Sequence, residues 1–279
     1  MIRVAFQGEK GAFSEDAVTT FFGDVDQVPC RTLALVFQAV TEGRADFGVV
    51  PVENSQAGSI NETYDLLLRC DVSIYGEIDL EVNHCLMALP GESLASIGTV
   101  YSHPQALAQC QEFLGKLDVE IVPTYDTAGS AKLIGEKKLA NCAAVASKRV
   151  SQIYGMQILA EDIQTIPNNY TKFFVVSKEQ AKYAPANKTS LVFATENSPG
   201  ALYDCLGVFA TRGINLTKLE SRPSKDEPWE YVFYVDFEGH VEDDTCGQAV
   251  AALQEMTRFL KILGSYPRTT GSSDSAAMG

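Results

Sequence analysis

The segment Gln164–Ser177 reads QTIPNNYTKFFVVS and joins a turn to a buried strand. Residues 167–169, Pro-Asn-Asn, are typical of turns, whereas residues 173–176, Phe-Phe-Val-Val, are aromatic or β-branched and carry no charge. Residues 170–172 therefore lie where an irregular loop meets a sheet, a position that fixes a side chain but leaves its polar end free. An ordinary strand start with a capping hydroxyl is the better explanation of an isolated Asn-x-Thr, so Thr171 needs support from other parts of the chain.

The composition restricts the class of protein. A chain of 279 residues, of which 46% are hydrophobic, can bury a core and is long enough for two or three domains. Its formal net charge of −14 argues against nucleic acid and against an anionic membrane surface as partners. An anionic small substrate is still compatible with this charge, because a local site can oppose the overall field.

Cysteine and histidine usage argues against a metal site. The seven cysteines include no Cys-x-x-Cys pair, and the three histidines are scattered along the chain. We therefore expect reduced thiols and no metal. The chain starts with Met1-Ile2-Arg3-Val4, directly in a predicted strand, and no apolar run approaches the length of a bilayer crossing. We expect a cytoplasmic protein that is neither exported nor membrane-spanning.

Strands and helices alternate from residue 1 to about residue 178, which predicts an α/β unit of two lobes with a cleft between them. Glu53, Asn54 and Ser55 directly follow the predicted strand 47–52, at a carboxyl end where open α/β sheets bind ligands. A polar loop with a helix cap explains the same residues, because Ser59-Ile60-Asn61-Glu62 has the form of a capping box that would begin a helix at Ser59.

Two further loops attract attention. The glycine-rich turn 8–14 joins the first strand to a helix, but its spacing fits neither a dinucleotide site nor a phosphate loop. A tight structural turn explains it at least as well as an anion site does. In the second lobe, Ser102-His103-Pro104 precedes a helix on which Gln105 and Gln109 share one face.

The pattern changes after a polar segment at 179–188, which we interpret as a linker. Residues 189–266 follow the order strand, helix, strand, strand, helix, strand, which is typical of a ferredoxin-like βαββαβ domain. This region is poor in catalytic residue types, which favours a binding or assembly role. The Gly-, Ser- and Ala-rich residues 267–279 predict a flexible tail.

Six short motifs occur in a fixed order along residues 1 to about 266: Gly8-x-x-Gly11-x-Phe13-Ser14, Pro51-Val52-Glu53-Asn54-Ser55-x-x-Gly58, Ser102-His103-Pro104-Gln105, Asn169-x-Thr171-x-Phe173, Gly200-Ala201-Leu202 and Glu220-Ser221-Arg222-Pro223. In this order they resemble the prephenate dehydratases. The resemblance implies a periplasmic-binding-protein-like catalytic domain of two α/β lobes over 1–178, in which the chain returns to the first lobe near residue 160. A ferredoxin-like ACT regulatory domain would follow over 189–266.

The resemblance also implies a reaction, the decarboxylating dehydration of prephenate to phenylpyruvate in phenylalanine biosynthesis, with no cofactor. Thr171 would be the catalytic residue nearest the departing hydroxyl. Prephenate would be contacted by Glu53, Asn54, Ser55, Ser102, Gln109, Asn169, Lys172 and Phe173. The family usually has arginine where this chain has Lys172, and lysine keeps the charge but lacks the planar fork.

For the ACT domain, the resemblance implies feedback inhibition by phenylalanine, bound by Gly200, Ala201, Leu202, Glu220, Ser221, Arg222 and Pro223. It also implies a homo-oligomer, either a dimer or a tetramer. Two alternatives stay open. The substrate could be arogenate, which has an amino group in place of the keto oxygen, or the two-lobed unit could be a non-catalytic module that binds a solute or senses an effector.

Overall fold

The computed structural model describes residues 1–224 and 231–268. They form two compact units, one of residues 1–63 with 78–173 and one of residues 64–77 with the described residues from 174 onward. The strands are β1 (Arg3–Gln7), β2 (Asp26–Cys30), β3 (Phe47–Asn54), β4 (Gly58–Ser59), β5 (Ser73–Glu81), β6 (Cys85–Ala88), β7 (Thr99–Ser102), β8 (Glu120–Pro123), β9 (Cys142–Ala146), β10 (Gln157–Ala160), β11 (Tyr170–Ser177), β12 (Asn187–Ala194), β13 (Leu216–Pro223), β14 (Tyr231–Glu238) and β15 (Phe259–Pro267).

The helices are α1 (Phe13–Phe22), α2 (Leu33–Thr41), α3 (Asn61–Arg69), α4 (Pro104–Gln109), α5 (Gln111–Leu114), α6 (Thr127–Lys137), α7 (Lys148–Tyr154), α8 (Ala201–Ala210) and α9 (Asp244–Met256). Across residues 1–224 and 231–268, none of them combines the length and the apolar character that a membrane crossing requires.

The first sheet has the strand order β2-β1-β3-β11-β5, and β1 pairs in parallel with both β2 and β3. Strand β3 is longer than predicted, because Glu53 and Asn54 pair with Ser59 and Gly58 in the short β4. Helix α3 consequently begins at Asn61. The helix thus starts two residues after the predicted start at Ser59 and ends at Arg69, as predicted, and the capping box stays a prediction.

The second sheet has the order β10-β6-β9-β7-β8 and is buried on both faces. Successive residues of β6 show this, because Leu86 packs in the core cluster on one face and Met87 in the cluster on the other. Val145 and Ala144 alternate in the same way along β9. A strand that is buried on both faces is expected to be a short run of apolar residues that do not alternate with polar ones. Strands β6 and β9 have this sequence pattern.

The chain passes between the two sheets twice, at residues 82–84 and at residues 163–169, and we call these two segments the double crossing. Hydrogen bonds join them: Val82 N donates to Asn169 O at 2.7 Å, and Ile163 N donates to His84 O at 3.0 Å. His84 N also donates to Gln164 Oε1 at 3.0 Å. The predicted two-lobed unit, with the chain returning to the first sheet, is therefore present.

The last sheet has the order β13-β14-β12-β15, and its strand pairs are antiparallel. With α8 and α9 packed on one core, this is the predicted ferredoxin-like βαββαβ fold. Strand β12 begins at Asn187 and β15 runs through Pro267, so each extends slightly beyond the predicted domain limits. The rest of the predicted tail, from residue 269, lies outside the described residues.

A buried lysine lies at the start of β12. Lys188 Nζ is 2.6 Å from Glu77 Oε2 and 3.6 Å from Asp236 Oδ2, and all three side chains are almost fully buried. Ser190 donates to Asp236 Oδ1 at 2.6 Å, and burial raises the pKa of Asp236 although Lys188 opposes the shift. Lys188 thus compensates negative charge away from water, where an unpaired charge is costly.

We expect Lys188→Met to lower the free energy of unfolding by about 3–5 kcal/mol, because it removes a buried cation from beside two buried carboxylates. Urea unfolding followed by circular dichroism measures this loss. Adding Glu77→Gln and Asp236→Asn to the same variant should restore most of the stability. As a control, Arg44→Met removes an exposed ion pair with Glu42 and should leave the midpoint unchanged. Equal effects of the two single substitutions would contradict the importance of the buried cluster.

Candidate active site

A cavity of about 320 Å³ lies in the first unit, and residues of both lobes line it. This volume suits a small molecule. Four of the residues predicted to form the site line it, namely Asn54, Gln109, Thr171 and Phe173. The other lining residues are Gln7, Gly8, Ala12, Phe13, Ser14, Arg31, Leu33, Pro51, Ile60, Glu62, Val82, His84, His103, Gln105, Ala106, Tyr125, Asp126 and Thr127.

The Asn54 carboxamide occupies the centre of the polar contacts. Its Oδ1 accepts from the backbone N–H groups of Gln56 at 3.1 Å and Ala57 at 3.0 Å. Because only the oxygen can accept, these two contacts fix which way the amide points. Asn54 Nδ2 then faces three oxygens, Asn169 Oδ1 at 2.7 Å, Thr171 Oγ at 3.0 Å and Tyr170 O at 3.1 Å. Its two hydrogens are shared among them.

This orientation determines what the Thr171 hydroxyl can do. Thr171 Oγ accepts from Asn54 Nδ2, and an N–H₂ group cannot accept in return. The hydroxyl hydrogen therefore points elsewhere, and within the described residues it has no protein acceptor. Thr171 is 9% exposed and lines the cavity, so this hydrogen can be donated to a bound molecule.

Strand alternation places the neighbours of Thr171. Phe173 lines the cavity with Thr171, whereas Lys172 does not, because successive side chains of β11 point to opposite faces. Lys172 Nζ instead pairs with Asp79 at 3.0 Å. Asn169 does not line the cavity either, but its Oδ1 contacts Asn54, so it supports the site from behind.

Three other predicted residues also lie outside the cavity lining. Ser102 is fully buried and donates to Val145 O at 2.6 Å, which ties β7 to β9. Ser55 Oγ accepts from Tyr170 N at 3.0 Å and so links the end of β3 to the start of β11. Glu53 alternates with Asn54 along β3 and pairs with Ser59 in β4. Their positions suit support of the site, and direct contact with a substrate stays a prediction.

The glycine-rich turn serves the structure itself. Gly8 and Gly11 have positive φ values of 118° and 94°, and a Cβ on Gly11 would meet Val150 at 2.9 Å. Two N–H groups of this turn are engaged by carboxylates of the chain itself: Glu9 N donates to Asp126 Oδ2 at 3.2 Å and Gly11 N to Glu15 Oε2 at 2.5 Å. The contacts therefore favour the structural interpretation of this turn.

Charged and titratable groups around the cavity come from both lobes. Among the described residues that line it, Arg31 is the cationic side chain, and Glu62 and Asp126 are the carboxylates. Burial raises the pKa of Asp126, although the N–H groups of Glu9, Gly129 and Thr127 oppose the shift. Burial also lowers the pKa of His103, which favours the neutral imidazole.

Sequence reasoning missed Arg31 and His84 as cavity residues. Arg31 had a usable signal, since it directly follows β2 at the carboxyl end of a parallel strand, as Glu53 and Asn54 end β3. His84 had none, because a single histidine between two strands carries no pattern. Its contacts depend on the double crossing, which joins segments about 80 residues apart in sequence.

The residues predicted to bind phenylalanine lie on two elements of the ferredoxin-like domain. Gly200 caps α8 with a positive φ of 89°, and Ala201 and Leu202 form the first turn. Glu220–Pro223 ends β13, an edge strand of the sheet. Within this run Glu220 pairs with Lys218 at 3.1 Å, and Arg222 pairs with Asp65 at 3.1 Å.

A two-lobed α/β unit with a polar cavity, followed by a ferredoxin-like domain, is the architecture of a small-molecule site with an appended second domain. Residues 4–181 match the family model of prephenate dehydratase, and residues 189–253 match that of the ACT domain. The chain is 44% identical over 280 residues to arogenate dehydratase/prephenate dehydratase 2 of Arabidopsis thaliana, which covers 96% of this chain and 74% of the relative.

Two solved structures are similar over almost the whole chain. A prephenate dehydratase from Arthrobacter aurescens in complex with L-Phe has a TM-score of 0.87 and 32% identity, covering 96% of this chain and 90% of that one. GqqA, described as a novel type of quorum quenching acylase, has a TM-score of 0.86 and 34% identity, covering 96% and 98%. The chain belongs to the prephenate dehydratase family and carries an ACT domain.

We expect Asn54→Asp to lower the turnover number for prephenate by at least ~10²-fold at neutral pH. The introduced carboxylate still accepts from Gln56 and Ala57, but it can no longer donate to Thr171 and instead accepts the hydroxyl hydrogen. Turnover should recover partly as the pH falls, since a protonated carboxyl carries a donor again. A pH–rate profile of the variant beside wild type measures this, and a profile parallel to that of wild type would contradict it.

Proposed function

We propose that this chain catalyses the decarboxylating dehydration of prephenate to phenylpyruvate, a carbon–oxygen lyase reaction in phenylalanine biosynthesis. The observation that carries the proposal is the Thr171 hydroxyl, which lines the cavity, accepts from Asn54 and has no protein acceptor for its own hydrogen among residues 1–224 and 231–268. Family membership supports the same conclusion.

The chemistry needs little from the protein. As the ring carboxylate leaves as CO₂, its bonding electron pair enters the ring, the bond to the ring hydroxyl breaks, and the hydroxide takes up a proton to leave as water. The gain of aromaticity drives these steps, so the protein has to hold a dianion and stabilise the departing oxygen. A donor placed at that oxygen contributes ~10²–10⁴-fold to the rate.

The cavity supplies groups for both tasks. Thr171 donates its hydrogen bond to the departing oxygen, and Asn54 keeps the hydroxyl oriented. Arg31 places positive charge at the cavity, where the substrate carries two carboxylates. Phe173 is buried below Thr171 on the same face of β11 and presents an apolar surface to the substrate ring.

Removal of the hydroxyl tests the proposal. We expect Thr171→Ala to fold normally and to lose at least ~10²-fold in turnover number, whereas Thr171→Ser keeps a hydroxyl and should retain most activity. Phenylpyruvate formed from prephenate is followed by its absorbance in alkali, with thermal unfolding as the check on folding. A Thr171→Ala variant with a near-normal rate would remove Thr171 from the mechanism.

Arogenate is the alternative substrate, and the 44% identical relative is named for both activities. The chemistry at the ring is the same, and the product would be phenylalanine instead of phenylpyruvate. Incubation of the purified chain with each substrate, followed by chromatography of both products, decides between them. If neither product forms, the catalytic proposal fails and a binding role becomes the better explanation.

Acylase activity, which the name of GqqA attributes to that protein, has less support in this cavity. Acyl transfer by a hydroxyl requires a base beside the nucleophile. In the described contacts, Thr171 Oγ bonds to Asn54 and the His84 Nε2 atom lies beside Gln109.

We also propose that phenylalanine binds the ACT domain and inhibits the enzyme. The similar Arthrobacter aurescens structure is a complex with L-Phe. In this chain, Gly200 at the start of α8 leaves backbone N–H groups accessible to a carboxylate, and Glu220–Pro223 offers polar groups to the amine. The edge position of β13 also suits pairing with a second copy, so we propose a homo-oligomer in the cytoplasm.

We expect phenylalanine to inhibit wild type and to lose its effect in variants with alanine at Glu220, Ser221 and Pro223, whose basal turnover should stay normal. Arg222 is left unchanged because it pairs with Asp65 and its loss would also affect stability. Initial rates across a phenylalanine titration measure the effect, and sedimentation with and without phenylalanine reports the oligomer. Inhibition of equal strength in wild type and variants would place the regulatory pocket elsewhere.

A further inference from the structure

A line of hydrogen bonds continues from Thr171 past Asn54 into the second lobe. Gln109 Nε2 donates to Asn54 Oδ1 at 3.3 Å, and Gln109 Oε1 lies 2.9 Å from His84 Nε2. The order along this line is therefore Thr171, Asn54, Gln109, His84. The first three were predicted from the sequence, whereas His84 was not.

The direction of each hydrogen bond along this line can be deduced from the fixed orientation of the Asn54 amide. The backbone of Gln56 and Ala57 makes Asn54 Oδ1 an acceptor, so the nearby atom of Gln109 must be its donor nitrogen. Gln109 then presents its oxygen to the imidazole. An amide oxygen only accepts, so His84 carries its hydrogen on Nε2 and donates to Gln109.

The surroundings of His84 favour the neutral imidazole with its hydrogen on Nε2. His84 is 2% exposed, and the Phe13 ring packs against it edge-on with centroids 5.6 Å apart. Its Nδ1 atom has no hydrogen-bond partner among the described residues, so a hydrogen placed there would gain nothing. Burial accordingly lowers the pKa of His84, although the hydrogen bond to Gln109 opposes the shift.

The backbone of His84 is anchored at the double crossing. Its N–H donates to Gln164 Oε1 at 3.0 Å, and its carbonyl accepts from Ile163 N at 3.0 Å. The ring thus projects from a segment that is tied on both sides, and it reaches Gln109 at the end of α4. Without the His84 donor, only the 3.3 Å contact with Asn54 Oδ1 would oppose a half-turn of the Gln109 amide, which would place two acceptor oxygens against each other.

We propose that His84 is a positioning residue for the dehydratase reaction: through its Nε2–H it fixes the Gln109 amide, which with Asn54 keeps the Thr171 hydroxyl free to donate to the departing oxygen. His84 acts through Gln109 and is the next residue after it in the hydrogen-bonded line from Thr171. This inference rests on the proposed function and extends it to the second lobe.

Amide substitutions separate the two ring nitrogens. Glutamine can place an N–H close to the position of Nε2, whereas asparagine reaches only the position of Nδ1, and leucine supplies no donor. We expect His84→Leu and His84→Asn to lower the turnover number for prephenate by about 10- to 100-fold with little change in KM, and His84→Gln to recover most of it. Steady-state kinetics without phenylalanine measures all three.

A double-mutant cycle tests whether His84 acts through Gln109. If it does, His84→Leu/Gln109→Leu should be no slower than Gln109→Leu alone, because the same interaction is already lost. His240→Leu is the matched control, since His240 is also buried but lies in the other unit, and its turnover should match that of wild type. If His84→Leu does not fold, the comparison of glutamine with asparagine still carries the test.

The inference is overturned if His84→Leu turns over at the wild-type rate, if His84→Gln is no better than His84→Asn, or if the double variant is slower than Gln109→Leu by the full His84→Leu factor. These outcomes differ from failure of the proposed function, which would appear in wild type as the absence of both phenylpyruvate and phenylalanine. If wild type turns over prephenate and the His84 variants have the same turnover number, only the role of His84 is excluded.

Discussion

Two backbone N–H groups determine the chemistry of the cavity. Gln56 and Ala57 donate to Asn54 Oδ1, and from this contact the orientation of every other polar group along the line can be worked out. Thr171 becomes an acceptor from Asn54, and its own hydrogen is left for a ligand. A buried polar network of this kind is worth more than isolated contacts, because each member limits the choices of the next. The short strand β4 makes this possible, since it bends the chain back at Gly58 and brings residues 56 and 57 over the Asn54 side chain.

Much of this arrangement could be predicted from the sequence, because it depends on local patterns. The aromatic and β-branched run after Thr171 specified a buried strand, and the carboxyl end of β3 located Asn54. Successive side chains of a strand point to opposite faces, so Thr171 and Phe173 lie in the cavity and Lys172 does not. The absence of Lys172 from the cavity could therefore have been predicted from the sequence. Ser102 donates a hydrogen bond from β7 to Val145 O in β9. This contact depends on the order of the strands in the sheet, which the motif around Ser102 does not reveal. The position of His84 at the cavity required tertiary contacts, because it is a single histidine between two strands, whereas Arg31 could have been located from the carboxyl end of β2.

The limits of the compact units also depend on contacts that a linear pattern does not show. Residues 64–77 follow the motif Pro51–Gly58 in sequence but pack with the ferredoxin-like domain. Lys261 explains part of this, because its Nζ donates to the carbonyl oxygens of Leu67, Leu68 and Cys70 at 2.8 to 3.0 Å and so caps the end of α3. Tyr234 donates to Tyr64 O at 3.3 Å at the other end of the helix. The carbonyl groups that a helix end leaves without partners are thus satisfied from another part of the sequence.

The burial of Asn54 has a consequence for the chemical ageing of the enzyme. Asparagine followed by serine is prone to deamidation, a route to thermal inactivation in which the next backbone nitrogen attacks the side-chain amide to form a succinimide. In this chain the nitrogen of Ser55 donates to Tyr170 O at 2.8 Å, and Asn54 is 2% exposed. The nitrogen is therefore held away from the amide carbon, and water has little access to it. The joining of the end of β3 to the start of β11 thus places the amide beside Thr171 and also protects it from deamidation.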